Sequence, residues 1–258
     1  MKVVLTQLEL SSEPTDQFQR VRVALGRARV TLGPADILVL PERFDFRSPE
    51  LYRASATKLA RDLDCHVVAG SCHVLQGEKT VNAGIVVDPG GCILAEYEKL
   101  RPYGHELTRV SPGLRLGQFQ IAGRRIVVLI CADFWFSDVF ERIGTLPDLV
   151  LVPALSVTRK PTSAYAQALW WHLSVCRSYE FGAYVGISDW AEGSHLPLGR
   201  PAGVAGFADP TVVQPERLFE RVGGTGVLVV EPDFERLERF RRDRIERGFF
   251  WRPLPEKR

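Results

Sequence analysis

No apolar run in this sequence approaches the roughly 20 residues that a membrane-spanning helix needs, so a helical membrane span is not expected. Charge of one sign is equally scarce. The 33 Lys and Arg residues against 31 Asp and Glu leave a net charge of +2, too little to build a field that draws in nucleic acid. The arginines Arg236, Arg239, Arg241, Arg242, Arg244 and Arg247 alternate with Glu235, Glu238, Asp243 and Glu246, which reads as a solvated helix face. The amino-terminal MKVVLTQLEL meets Thr6, Gln7 and Glu9 before it could serve as a secretory signal. A cytoplasmic protein with neither membrane nor nucleic-acid partner is the expectation.

Cysteine is sparse and odd in number. Cys65, Cys72, Cys92, Cys131 and Cys176 are scattered through apolar segments, which suits a reducing compartment rather than a disulfide framework. The segment CHVVAGSCH sets Cys65 and His66 seven residues before Cys72 and His73. As a continuous strand it would hold the two pairs about 23 Å apart, too far to share a tetrahedral zinc. No metal is expected. No Pro- or Ser-rich linker, composition shift or internal repeat divides the 258 residues, and one domain over 1–258 is the better count.

What is present is a soluble, globular composition, 45% hydrophobic and 25% charged, with strand-length apolar runs alternating with helical patterns. VVLTQLEL precedes a helix expected from Pro14 to about Leu32. ADILVL precedes another from Pro49 to Asp64, and the strand HVVAGS follows. A hairpin turns at Asp88-Pro89-Gly90-Gly91 and a second strand pair at Ala122-Gly123. Then come PDLVLVPAL, a long helix from Ser163 to Phe181, AYVGIS, short strands near Val204 and Val212, TGVLVVEPD and a charged helix ending near Arg247. Such alternation indicates mixed sheets flanked by helices.

The ends of three strands carry chemistry. ADILVL runs into Glu42, the first hairpin into Lys99 and then Glu106, and RIVVLIC stops at Cys131. A thiol of ordinary pKa about 8.5 is mostly protonated at neutral pH and needs a base or a cation beside it. A carboxylate can take its proton, and an ammonium can hold the charge that develops on an attacked carbonyl oxygen. Taken singly, Glu42 reads as a surface acid, Lys99 as a rim cation and Cys131 as core.

Together, Glu42 in LVLPERF, Lys99 in YEKLRPYGHELTRVSPG and Cys131 in VLICADFWF resemble the Glu, Lys and Cys motifs of the nitrilase superfamily of carbon-nitrogen hydrolases. The likeness runs from about Val3 to Arg247. It places Asn82 at the family's asparagine, Glu106 at its second glutamate, Trp170, Arg177 and Glu180 on a bracing helix, and Asp209-Pro210 at a late turn. The residues after Cys131, Phe181 in the helix and Thr211 after the late turn depart from the family pattern.

The resemblance implies an α/β, four-layer α-β-β-α sandwich with two mixed sheets. It also implies a homodimer or higher homo-oligomer, with the helix and tail of about 232–258 at a subunit interface or on the surface. It implies no cofactor. The expected reaction is hydrolysis of a small linear amide through a thioester on Cys131, with water as acyl acceptor. Glu42 would act as base, Lys99 and the Ala132 N–H would hold the oxyanion, and Glu106 would position Lys99. A nitrile hydrolase using the same groups and a catalytically idle binding protein of the same fold are the alternatives. Phe44, Phe46, Tyr103, Phe134, Trp135 and Trp190 are candidates for an aromatic substrate pocket. Arg159, Lys160, His195 and Arg200, in late loops, are candidates to grip a substrate carboxylate.

Overall fold

The structure, a computed structural model, describes residues 1–10, 17–194 and 199–250. Its elements in chain order are β1 (Val3–Leu8), α1 (Gln17–Arg27), β2 (Ile37–Val39), α2 (Pro49–Leu63), β3 (His66–Val68), β4 (Cys72–Gln76), β5 (Lys79–Val87) and β6 (Ile93–Glu98). There follow β7 (Gly117–Ile121), β8 (Arg124–Val128), α3 (Asp138–Ile143), β9 (Leu149–Pro153), β10 (Val157–Thr158), α4 (Ala164–Phe181) and β11 (Tyr184–Trp190). The chain continues through β12 (Arg200–Pro201), β13 (Gly206–Ala208), β14 (Phe219–Arg221), β15 (Gly226–Val230) and α5 (Phe234–Glu246).

Side-chain alternation along the strands produces the layers. On β1, Val4 and Leu8 meet Phe18, Val21 and Leu25 of α1 and Tyr52, Ala56 and Leu59 of α2. Val3 and Leu5 point the other way, into a core shared with Val127, Val150 and Ile187 of the second sheet. Beyond that sheet, Trp170 and Phe181 of α4 close the stack, with Phe140 of α3 stacked 4.2 Å from Phe181. The order is therefore helix, sheet, sheet, helix, the expected four layers. The two sheets join where β1 pairs in parallel with β11, Gln7 opposite Asp189.

Parallel pairing is what positions the site. Strands β3, β2, β1, β11, β9 and β8 lie side by side in one parallel run. Their carboxyl ends share one edge, where open α/β sheets display functional groups. Glu42 follows β2, Cys131 follows β8 and Leu155 follows β9. Strand β6 reaches the same edge because β5 is antiparallel to both β3 and β6, and it ends one residue before Lys99.

Several expected elements differ. Helix α1 ends at Arg27, short of Leu32, and Arg29 at φ = 54° turns the chain out of helical geometry; the expected start at Pro14 lies outside the described residues. The strand HVVAGS stops at Val68, because Gly70 takes φ = 70° and a separate strand, β4, begins at Cys72. The continuous span used to separate Cys65 from Cys72 is therefore broken. No strand forms near Val212; Asp209 instead folds a turn by accepting from the Thr211 N–H and hydroxyl. Nor is the α5 arginine face wholly solvated. Arg241 donates to Asp148 at 2.6 Å, and Arg244 is buried, donating to the Phe249 and Tyr179 carbonyls with its guanidinium over the Tyr179 and Phe240 rings. Among the described residues, no helix is long and apolar enough to cross a membrane, and no group of three or more His, Cys, Asp or Glu side chains is placed to hold a metal ion.

Two devices tie the strand ends together. Gly70 lets the loop after β3 pass so close to the loop after β2 that a Cβ there would sit 2.0 Å from the Pro41 carbonyl oxygen. Phe44 N–H then donates to the Ser71 carbonyl at 2.8 Å. On the other side, Asp133 is buried in the turn after β8 and accepts the backbone N–H groups of Leu100 and Arg101, at 3.1 and 2.8 Å. It thereby fixes the end of β6 to the Cys131 turn. Burial pushes the Asp133 carboxyl up to about 7 despite those bonds.

Gly70→Ala should cost about 2–4 kcal/mol, since a left-handed residue and a backbone clash are imposed together; urea denaturation checks this, and a loss under about 0.5 kcal/mol would refute it. The raised Asp133 value makes its contribution to stability complete below 3.8 and lost as pH rises through about 7. The stability of the wild type relative to Asp133→Asn should therefore decline from about pH 4 to about pH 7 and be level above that, and a pH-independent difference would count against the burial of that charge.

Candidate active site

A buried ammonium organises the site. Lys99 Nζ lies 2.6 Å from Glu42 Oε1 and 2.6 Å from Glu106 Oε2. Asn82, on β5, donates its amide to both acids, at 2.9 Å to Glu42 Oε1 and 2.8 Å to Glu106 Oε1. All four side chains are buried. Asn82 reaches them because the β5–β6 register, with Ala83 opposite Glu98, sets it across from Lys99 at the open end of the hairpin, where the Lys99 N–H donates to the Asn82 carbonyl at 2.8 Å. Glu106 comes from the short 3-10 turn Gly104–Thr108, where it also accepts from the Tyr103 N–H at 3.2 Å.

Cys131 stands at the tip of β8, in a 3-10 turn spanning Cys131–Trp135, with φ = 46°. A non-glycine residue in that region carries strain that only a well-braced surrounding sustains. The bracing is visible. Arg177 of α4 donates to the Trp135 carbonyl and pairs with Glu180 at 2.9 Å, and Phe134 stacks on Trp170. The Cys131 thiol donates to the Leu155 carbonyl oxygen at 3.7 Å and shares the cleft with Glu42.

Burial and these neighbours set the protonation states. Burial raises the Cys131 thiol well above its ordinary value, Glu42 raises it further and Lys99 only partly opposes them. Burial also raises Glu42, against the Lys99 charge. Burial pulls Lys99 down, but Glu42 and the other acidic neighbours overcome it and hold the ammonium charged. Glu106 is raised by burial and lowered by His73, whose Nε2 is 3.5 Å away, and by Lys99; it ends at about 2. The resting arrangement is thus a neutral thiol beside an ion cluster of two carboxylates and one ammonium.

The loop after β9 is held by Asp189, fully buried at the end of β11. Its carboxylate accepts from the Ser156 N–H at 3.1 Å, from the Ser156 hydroxyl and from the Val204 N–H at 2.9 Å. This keeps Leu155 and Val157 against the cleft.

The cleft itself has a volume of about 70 Å³. Glu42, Lys99, Glu106 and Cys131 form its floor, and Tyr103, Gly104, His105, Leu155, Val157, Arg43 and Arg159 complete the lining. Of the aromatics expected there, only Tyr103 lines it. Phe44, Phe134 and Trp190 are fully buried, because each turns from its strand end back into a core. Trp190 stacks on Phe44 at 5.5 Å and donates its indole N–H to the Glu42 carbonyl, so it braces the acid rather than facing a ligand. Trp135 packs edge-on against Trp170, and Phe46 lies under the Arg43 guanidinium. Lys160 turns onto the Tyr165 ring, Arg200 leans 3.9 Å from Glu192, and His195 lies outside the described residues. Sequence reasoning passed over Arg43, His73, His105 and the Leu155 carbonyl. Arg43 carried a signal in being adjacent to Glu42, whereas a main-chain oxygen leaves none.

A family model described as carbon-nitrogen hydrolase matches residues 2–213. No curated protein matches the sequence significantly. Solved structures share the fold at low identity. A double mutant of the amidase from Nesterenkonia sp. AN1, in complex with acrylamide, aligns with a TM-score of 0.73 at 20% identity, covering 97% of each chain. Nit3 of Saccharomyces cerevisiae, a nitrilase-superfamily member, aligns at 0.74 and 21%, covering 94% of this chain and 93% of that one. A CN-hydrolase superfamily protein of Xanthomonas campestris with an arsenic adduct in its active site aligns at 0.77 and 21%, covering 98% of each. With the matched model spanning most of its length, the chain belongs to the carbon-nitrogen hydrolase family.

Proposed function

We propose that this protein hydrolyses the C–N bond of a small linear amide through a thioester on Cys131. The observation that carries the reading is the convergence on one cleft of Cys131 at a strained strand end, the buried Glu42 carboxyl and the buried Lys99 amine that contacts it at 2.6 Å.

Because the thiol is protonated at rest, the nucleophile forms as it attacks. Glu42 accepts the thiol proton while Sγ bonds to the amide carbonyl carbon. The raised pKa of Glu42 makes it a better proton acceptor than an exposed glutamate. The electron pair moves onto the carbonyl oxygen, and Lys99 and the Ala132 N–H, at the open start of the 3-10 turn, hold the resulting oxyanion. Collapse breaks the C–N bond, Glu42 returns the proton to the departing ammonia or amine, and a thioester remains. Glu42 then takes a proton from water as its oxygen attacks the thioester. The second collapse releases the carboxylic acid, and the sulfur regains its proton from Glu42. Glu106 and Asn82 keep Lys99 and Glu42 in register throughout.

The protein would act as a homodimer or higher oligomer. The outer face of α4 leaves Tyr165, Leu169 and Tyr179 exposed, an apolar surface suited to a second copy.

Cys131→Ala should abolish ammonia release from an amide the wild type turns over, and Glu42→Gln should lower kcat about a thousandfold. Intact-mass screening against amides and nitriles should trap an acyl adduct on Cys131. Full activity in Cys131→Ala would remove the nucleophile, and turnover of nitriles alone would transfer the reading to a nitrile hydrolase. Glu42 must be ionised to act, so the acid limb of kcat/KM should lie above 4.5, the ordinary glutamate value; a limb at or below it would remove Glu42 as the base.

A further inference from the structure

Two carboxylates share the site, and the groups that bridge them treat them alike. Lys99 Nζ lies 2.6 Å from Glu42 and 2.6 Å from Glu106, and the Asn82 amide reaches Glu42 at 2.9 Å and Glu106 at 2.8 Å. Neither bridge decides which acid stays charged and which exchanges a proton. Yet burial raises Glu42, whereas Glu106 ends at about 2. Where surroundings push two acids apart in this way, their roles are assigned by whatever contacts only one of them.

Among the described residues, two donors reach Glu106 without reaching Glu42. One is the Tyr103 N–H, 3.2 Å from Oε2; the other is His73, whose Nε2 lies 3.5 Å from Oε1. His73 sits on β4 directly across from Asn82 on β5, so both side chains leave one face of the strand pair toward the same carboxylate. The His73 ring is half-buried, but its Nε2 atom is buried and has no closer partner. Without a hydrogen, that nitrogen would set a lone pair against a buried carboxylate, so Nε2 carries the hydrogen and Oε1 faces it. A contact of 3.5 Å is long for a hydrogen bond, and bonds at catalytic groups commonly tighten when substrate binds. Of the neighbours that keep Glu106 charged, His73 acts most strongly, ahead of Lys99. The other charged groups do not separate the acids. Lys99, at the end of β6, contacts both, and Arg43, in the loop after β2, acts on both through space. Cys131, after β8, faces Glu42, and His105, beside Glu106 in its turn, is exposed.

We propose that His73 is a positioning residue: its Nε2–H holds Glu106 as the fixed anion that anchors Lys99, which leaves Glu42 as the acid that takes and returns the Cys131 proton. The proton transfer at Cys131 rests on the hydrolase reading; the division of labour between the two acids does not. Without this donor Glu106 holds its charge less well, the two carboxylates become more alike, and a proton stays on the pair to higher pH. Glu42 is then occupied, or Lys99 is drawn wholly onto it, and the thiol loses its acceptor.

His73→Phe keeps a ring of similar size and removes the donor, while His73→Gln retains an N–H near the Nε2 position. On an amide that the wild type turns over, the acid limb of kcat/KM should move up by about one pH unit or more in His73→Phe, the worth of one hydrogen bond to a charged group. Below the limb, activity should therefore fall about tenfold or more; above it, activity should return to within about threefold of wild type. His73→Gln should keep the limb within about half a unit of its wild-type position. A loss of equal size at every pH, a limb that does not move, or a His73→Gln enzyme as impaired as His73→Phe would overturn the proposal, because a packing role produces those results. Should circular dichroism show His73→Phe unfolded, His73→Leu takes its place with the same expectations. Carboxyl 13C NMR on glutamate-labelled protein reads the same pair without substrate, its two signals identified by their loss in Glu42→Gln and Glu106→Gln. Their titration should move up by about one unit in His73→Phe. That shift in a protein that turns over no amide supports His73 as the group that separates the acids while the hydrolase reading fails. An unmoved titration overturns the proposal and leaves the hydrolase reading standing.

Discussion

The ammonium of Lys99, buried between Glu42 and Glu106, is the constraint on which the remaining structure depends. An isolated charge at that depth would be driven toward neutrality by desolvation. Two carboxylates prevent this, yet two carboxylates so close repel each other unless the cation between them is fixed. Asn82 completes the arrangement by donating one amide hydrogen to each acid. No member can be removed without leaving another buried and underpaired, which is why the loop after β2 has to arrive at the same edge as the end of the β5–β6 hairpin and the turn that follows it.

The fold delivers them through a parallel run whose carboxyl ends coincide, and the precision comes from contacts outside the ion cluster. Gly70 lets two loops touch, Trp190 holds the Glu42 carbonyl, Asp133 joins the end of β6 to the Cys131 turn, and Asp189 anchors the loop that presents Leu155. Each replaces what would be a mobile loop end by a hydrogen bond to a buried group, and short buried bonds of this kind hold geometry more tightly than apolar packing does.

The clustered groups of the candidate site were legible because they are written in side chains and in strand periodicity. Apolar runs ending in Glu42, Lys99 and Cys131 give a sheet edge before any coordinate is known, and the Asp88–Gly91 and Ala122-Gly123 turns mark both hairpins. The substrate wall was not legible in the same way. An aromatic just after a strand end reads alike whether it faces a ligand or turns back beneath the sheet, and Phe44, Phe134 and Trp190 turn back. Burial decides between those two, and burial is a tertiary property. The strand break at Gly70 was hidden because a glycine within an apolar run marks a tight approach only once the neighbouring loop is in place. The buried Arg244 escaped for a similar reason: alternating charge describes a solvated helix until four aromatic rings and two carbonyls gather around one guanidinium.

If Cys131 is the nucleophile of the proposed function, the electrostatics of the cleft would also keep its sulfur quiet at rest. On the floor, the acids outnumber the ammonium, so a free thiolate there would add negative charge to a region already carrying an excess of it. Lys99 is engaged by both carboxylates and has little left to offer a sulfur anion. Under the proposed mechanism the sulfur would lose its proton only as it bonds to the carbonyl carbon, the C=O electron pair moving onto an oxygen that Lys99 and a backbone N–H would hold. On that reading, reactivity would depend on the presence of an electrophile of the right shape rather than on a standing pool of thiolate, and oxidants, which act on the thiolate form, would find little of it.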